Sequence, residues 1–392
     1  MIGQRLRTLR LAHRMSLEAL AAEIGGIVTK QALSKYEQDK AQPSSLVLNK
    51  LAGALGVKTA YLWSEPSISV KFIAYRKGAG LLKREQEAVE GLVTQALEDR
   101  VYLQELTMKA DGSKFRVRSL PSTTPEDAEG AAETLRSKWN LGLAPIASVT
   151  DVLEDNFVHV LEIEASEKFD GNAAVAYSVD GQQVVAAAIV TRSGIPGERQ
   201  RLNLAHELGH LVLNVPNDAD EEKIAFRFAG AFLAPAETVL RDVGSQRSFI
   251  GFDELLILKQ RFGMSVQALL YRLHDLGIVN DFLYRQRCIA INGAGWRKKE
   301  PCELPREQPK WLCQNIFRAL GEGLLTAGQA ERMLGEPVEA VEPLSLRERR
   351  AFMKLSMEER RRILQEQAAK MSTYYEQDLE REDLQSGDFV DH

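Results

Sequence analysis

Apolar positions recur at helical spacing almost from the first residue. Over residues 2–11, 17–24, 30–38 and 45–55 they fall three or four apart, the pattern of short helices that each bury one face. Ser16 and Thr29 stand where N-caps belong, and Gly25 with Gly26 breaks the chain between the second and third segments. A Pro-containing turn over residues 39–44 then separates the third from the fourth, which ends at Gly56. A longer stretch, residues 82–108, places Val89, Leu92, Val93, Ala96, Leu97 and Val101 on one face. Such a stripe suits a connector or dimer helix, and equally a helix packed within the molecule. Residues 111–129, rich in Ser, Thr, Pro and Gly, read as an exposed loop leading to a helix over 131–139. The period then drops from about 3.6 residues to about 2. Runs at 158–163, 173–177 and 184–190 predict strands of a small sheet, the last apolar on both faces. Residues 199–214 return to helix, and Glu221 and Glu222 open the next one. Beyond residue 301 the pattern predicts charged helices over 311–322, 326–334, 345–354 and 356–371. Ser345 with Glu348 and Ser356 with Glu359 form Ser-x-x-Glu capping boxes at the last two starts.

The fold class expected is mainly α with a small β-sheet, an α+β architecture. At 392 residues the chain exceeds what one core usually supports, which predicts several modules. We divide it into a five-helix N-terminal unit (1–66), a helical connector (67–130), a mixed unit carrying the sheet (131–285), a helical region (286–340) and a charged helical tail (341–392). A 44% apolar and 27% charged composition is that of a water-soluble protein, and no apolar run approaches the ~20 residues of a membrane span. The basic N-terminus lacks the apolar block of a secretory signal, so a cytoplasmic location is expected. Cys288, Cys302 and Cys313 are odd in number and not closely spaced, which argues against a disulfide framework or a zinc ribbon. The net charge of −5 hides an asymmetry: residues 1–66 carry nine Lys or Arg against five Asp or Glu, whereas the last 21 residues carry seven acidic residues and one Arg.

Short helices with a tight Gly turn between the second and third match the plan in which the third helix enters the major groove. Gln31, Ser34 and Lys35 would face the bases. The segments LEALAAEIG, TKQALSKYEQDKAQPS and LNKLAGALGV resemble the phage-repressor-like (XRE) helix-turn-helix family. The resemblance implies a double-stranded DNA operator as partner, Gln31 and its neighbours reading bases, and Lys30, Lys35 and Lys40 lying near phosphates. It also implies a homodimer on two half-sites. The turn at Gly25, Gly26, Ile27 and Val28 is longer than usual for that family.

In RQRLNLAHELGHLVLN, His206 and His210 lie four residues apart and so share a helix face. A catalytic zinc takes three protein ligands and leaves a place for water. Two of them would be these imidazoles, with Glu207 as the base that takes the proton of the attacking water, the HExxH arrangement of metallopeptidases. Helix positions around the motif (Leu202, Leu204, Ala205, Leu208, Leu211 and Val212) are apolar, as an enclosed site needs. No further histidine stands at the spacing of the extended three-histidine motif, which points to a carboxylate as third ligand: Glu222, with Glu221 as the alternative. Manganese suits such donors as well as zinc does. Residues 138–142 and 169–171, PGERQRLNLAHELGHLV and EEKIAFRFAGAFLAP together resemble the ImmA/IrrE metallopeptidases over about residues 130–280. The resemblance implies a zincin-like minimal peptidase domain, His206, His210 and Glu222 as ligands, Glu207 as catalytic base, and a repressor or other regulatory protein as substrate. Phe226 departs from the polar residue many relatives carry. His274, amid apolar neighbours, reads as a structural histidine, and Tyr271 as a candidate oxyanion donor.

The tail segments LSMEERRRILQEQAAKM, YYEQD and GDFVD resemble toxin-binding tails of antitoxins paired with PIN-domain ribonucleases. Two functions are therefore expected. One is a DNA-tethered zinc endopeptidase that cleaves a regulator and relieves repression. The other is an autoregulating repressor and antitoxin that neutralises a PIN-domain toxin, its peptidase fold acting as sensor or scaffold.

Overall fold

The computed structural model describes residues 2–73, 82–108, 115–169, 171–297 and 299–338, together with 354–357, 359–362 and 365. The chain opens with five short helices: α1 (Ile2–Ala12), α2 (Leu17–Glu23), α3 (Lys30–Glu37), α4 (Ser45–Ala54) and α5 (Thr59–Trp63). Ser16, Thr29 and Ser44 cap α2, α3 and α4 by accepting the N–H of the residue three places on. Leu6, Leu20, Leu33, Leu51 and Leu62 meet in one core and are wholly buried. Gly25 (φ 79°) and Gly26 (φ 68°) take the left-handed conformation that turns α2 into α3 at no steric cost. Arg10, paired in bidentate fashion with Glu37 (Nη2 to Oε2 2.8 Å), ties α1 to the end of α3.

The next element is a strand that the helical-connector reading of 67–130 does not include. β1 (Ile68–Phe72) alternates apolar and polar residues and lies on the edge of a four-stranded sheet. After it come α6 (Lys83–Thr107), the two-residue strand β2 (Leu120–Pro121), α7 (Pro125–Lys138) and α8 (Val149–Asp155). The helix expected over 131–139 thus begins six residues earlier. Thr124 and Asp127 cap each other there and Pro125 occupies the first turn, where a missing N–H costs nothing, so part of the loop expected over 111–129 is helix. Strands β3 (Val158–Ile163), β4 (Gly171–Ser178) and β5 (Val184–Arg192) complete the sheet in the order β1-β4-β5-β3. β4 runs antiparallel to both β1 and β5, and β3 is parallel to β5. β5, apolar on both faces, is interior to the sheet and covered on both sides. On one side Ala174, Ala176, Ala188 and Val190 pack against Val89, Val93 and Leu97 of α6. The stripe on α6 is therefore satisfied within the molecule.

The other face carries the larger core, built by Val158, Val160, Ala173, Val175, Ala187 and Ile189 with the helices that follow. These are α9 (Gly197–Val212), α10 (Glu221–Leu233), α11 (Ala236–Val243), α12 (Phe252–Phe262), α13 (Val266–Asp275) and α14 (Asp281–Gly293), with the short strand β6 (Leu213–Asn214) pairing in parallel with β2. Helices α15 (Trp311–Gly321) and α16 (Ala327–Leu334) return to α6 through a core that includes Leu103, Trp311 and Ile316. The architecture is thus mainly helical with a small mixed sheet. Among the described residues no helix is long and apolar enough to cross a membrane. Ser356 Oγ accepts the N–H of Glu359 (3.2 Å) while Glu359 accepts that of Ser356 (3.2 Å), forming the expected capping box. Most of the segment 341–392, including the helix start at Ser345 and the YYEQD and GDFVD runs of the toxin-binding reading, lies outside the described residues.

Candidate metal centre and DNA-facing helix

Helix α9 runs through the core, which is why its sequence is apolar on nearly every side of the motif. Its N-terminal end is clamped by a strap over residues 300–310. Gly197 donates to the Leu304 carbonyl (3.1 Å), and a Cβ at Gly197 would lie 2.1 Å from the Pro305 carbonyl oxygen, so only glycine fits. Gln200 and Glu307 exchange hydrogen bonds (2.9 and 2.8 Å), and Glu307 also pairs with Arg201. Glu198 and Glu300 share the wholly buried ammonium of Lys259 at 2.6 and 3.0 Å. A buried charge is tolerable only when paired in this way.

His206 and His210 emerge on one face of α9 with their Nε2 atoms 3.1 Å apart and their rings nearly perpendicular (83°). Glu222, in the first turn of α10, lies 3.4 Å from His206 Nε2 and 3.5 Å from His210 Nε2 through its two carboxylate oxygens. Three donors about 2.0–2.1 Å from one ion at a tetrahedral angle are ~3.3 Å apart, so the spacing found here fits a shared ion. Two imidazoles and a carboxylate are also the donor set of a catalytic zinc. Both histidines are 2% exposed, whereas the Glu222 side chain is 46% exposed. The site is therefore walled by protein on the α9 side and open beside Glu222.

The neighbouring Glu221 occupies a different position. Its Oε1 lies 3.4 Å from His210 Nδ1, the ring nitrogen turned away from Glu222, and 3.6 Å from Arg118 Nη2. Arg118 is brought there by its own N–H, which donates to the Leu211 carbonyl at 2.8 Å. Burial alone would push the His210 imidazole down, but hydrogen bonding to Glu222 and the nearby carboxylates of Glu207 and Glu221 hold it above the ordinary histidine range.

Glu207 is 4% exposed and packs against the start of β4. A Cβ on Gly171 would lie 3.2 Å from Glu207 Oε1 and 3.3 Å from its Cγ, so the absent side chain leaves the room the carboxylate occupies. The ring of Phe226 covers His206, with centroids 4.2 Å apart. Tyr271 lines a cavity that Phe226 also borders. His274 is not a core residue: its side chain is 31% exposed, its Nε2 donating to the Asp281 carboxylate at 2.7 Å and its ring stacked on Tyr284. Its apolar sequence neighbours belong to the buried side of α13. The parts of the site that spacing could not reveal are Gly171 and Arg118, both far from α9 in sequence.

The DNA candidates cluster on α3. Lys30, Gln31 and Lys35 are exposed and Ser34 is half-buried, accepting from Gln38 at 3.1 Å, while Leu33 faces the core. Lys30 is paired with Glu18 of α2. Lys40 is exposed just beyond the helix.

Both parts lie in segments that resemble known families. Residues 6–62 match the helix-turn-helix family, and residues 172–274 match the peptidase family described as the IrrE N-terminal-like domain. Over 62 residues, 16% of this chain, the sequence is 39% identical to the SPbeta prophage-derived uncharacterized HTH-type transcriptional regulator YonR of Bacillus subtilis (strain 168). That match spans 56% of the length of the Bacillus protein. The chain thus joins a helix-turn-helix domain to an IrrE-like peptidase domain.

Proposed function

We propose that this protein is a DNA-binding transcriptional regulator whose zinc-dependent endopeptidase centre cleaves a regulatory protein and so relieves repression. The observation that carries the reading is the convergence of His206 Nε2, His210 Nε2 and the Glu222 carboxylate, with Glu207 beside them, in a chain that also presents a helix-turn-helix. A zinc ion held by these three groups would act as a Lewis acid toward a peptide carbonyl and lower the pKa of water, and manganese suits the same donors. Glu207 takes the proton of the attacking water and passes it to the leaving amine nitrogen. Glu221, 3.4 Å from His210 Nδ1, adds negative charge behind that ring, the side on which outer carboxylates commonly act. On DNA, Gln31, Ser34 and Lys35 face base edges from α3 while Lys30 and Lys40 meet phosphates. Lys30 would exchange Glu18 for a phosphate oxygen, at little cost because the pair is exposed.

Glu207→Gln separates catalysis from binding. We expect the variant to keep its metal and its operator affinity while cleavage of the regulator, followed by mass spectrometry of cell extracts, falls by about 10²–10⁴-fold. Wild-type derepression by the variant would instead favour the repressor and antitoxin reading, with the peptidase fold as scaffold.

A further inference from the structure

A cavity of about 540 Å³ opens beside the metal ligands. Its walls include Leu202, one turn before His206 on α9, Phe226 and Gly230 on α10, and Met264, Ala268 and Tyr271 from α13 and its approach. Phe226 joins the cavity to the metal centre, because it both borders this wall and lies on the His206 ring. An extended chain crossing the histidines would therefore pass the cavity mouth.

Three of the polar groups in the wall are already engaged, while Lys223 and Gln267 stand exposed in the lining. Arg272 donates to Glu129 (2.7 Å) and to the Ala234 carbonyl (3.0 Å), Asp275 is paired with Arg227, and Ser265 caps Ala268 (3.1 Å). A polar side chain set against Leu202, Phe226, Met264 and Ala268 would lose its water without a partner on that side, whereas an apolar one gains by leaving water. The volume lies within the range of small-ligand sites and is ample for one large side chain.

Taking the peptidase reading as given, we infer that this cavity receives a large apolar side chain, Leu or Phe in kind, from the substrate peptide next to the bond to be cut. The cavity selects the cleavage site, with Ala268 and Gly230 setting its depth from opposite walls. A Cβ on Gly230 would meet only the Arg272 Cδ at 3.4 Å, an ordinary contact, so a larger residue can be placed there.

The test uses the full-length zinc-loaded Glu207→Gln protein, in which bound peptide is not consumed. Acetylated hexapeptides of Ala and Gly carrying Phe, Leu, Ala, Ser or Asp at the centre are titrated by calorimetry. The Phe and Leu peptides should bind at least about tenfold more tightly than the Ala peptide, with Ser and Asp no better than Ala. Adding Ala268→Phe, or independently Gly230→Leu, should erase that advantage without changing metal content. Equal binding of all five, no binding of any, or an advantage that survives both fillings would overturn the inference. Failure of the wild type to cut a random peptide mixture would count against the peptidase reading, while the preference measured without turnover would still identify the cavity as a peptide side-chain site.

Discussion

At the residue scale, the grouping of His206, His210 and Glu222 was legible because chemistry and spacing coincide. Two imidazoles four residues apart on a helix must share a face, and Glu222 opens the next helix on the side that faces them. Glu221 and Glu222 are equivalent as letters. What separates them is the helical rotation between adjacent residues, which puts one carboxylate on the two Nε2 atoms and the other on His210 Nδ1. Gly171 carries no side chain to advertise its role, although the FDG run containing it belonged to the family resemblance. Its importance is spatial, and it gives a sharp prediction. In Gly171→Ala the new methyl would force Glu207 to move by a few tenths of an ångström. We expect kcat to fall by roughly tenfold, since small displacements at reacting groups are costly, with metal content unchanged. Unchanged kcat would mean that Glu207 is not held by this contact. On α3, Gln31→Ala should cost about 1–3 kcal/mol on the preferred operator and relax base preference, whereas Lys35→Ala should lower the salt dependence of binding in a filter or fluorescence titration.

Among the elements, local pattern told helix from strand but not what each would touch. The stripe on α6 was evident, yet its partners are strand residues Ala174 to Val190 that lie far along the chain. β1 alternates plainly at Ile68, Val70 and Phe72, but five residues gain their meaning only from pairing with Ser178 to Ala174. A long-range pairing leaves no trace in a short window. The contact between β3 and the returning α15 is a further example. There His159 of β3 is 1% exposed with its ring against Trp311 (centroids 4.4 Å), and neither ring nitrogen meets a hydrogen-bond partner among the described residues. Burial, reinforced by the nearby Arg100 guanidinium, holds its pKa well below the ordinary value. The unfolded chain then binds a proton that the folded chain refuses. The stability from a neutral His159 is complete above about pH 6.5 and is lost as pH falls from there toward the depressed folded value. His159→Leu should flatten the fall of Tm between about pH 6.5 and pH 5 relative to wild type. An unaltered slope in thermal scans would show that other groups govern it.

For the whole molecule, the N-terminal helices and the part that carries the sheet are joined by more than a tether. Gly91 of α6 approaches α1 so closely that a Cβ would lie 2.9 Å from backbone atoms of Thr8 and Ala12. Arg5 of α1 pairs with Glu98 of α6 (2.6 Å), which also accepts from Tyr61 of α5 (3.1 Å). Arg332 of α16 reaches Asp99 (2.8 Å) and lies over the same Tyr61 ring. The helix-turn-helix is thus seated on the helix that covers the sheet, and the sheet in turn supports α9. Buried ion pairs of this kind fix an orientation more than they add stability. Such an arrangement suits a regulator whose DNA reader and peptide-cutting centre act as one body. The proposed function depends on His206, His210 and Glu222 holding a metal. The most direct measurement is therefore the metal content of the purified wild-type chain beside a His206→Ala, His210→Ala double variant. The account predicts about one zinc per chain in the wild type and none in the variant. Absence of metal from both proteins, or equal metal in both, would contradict it.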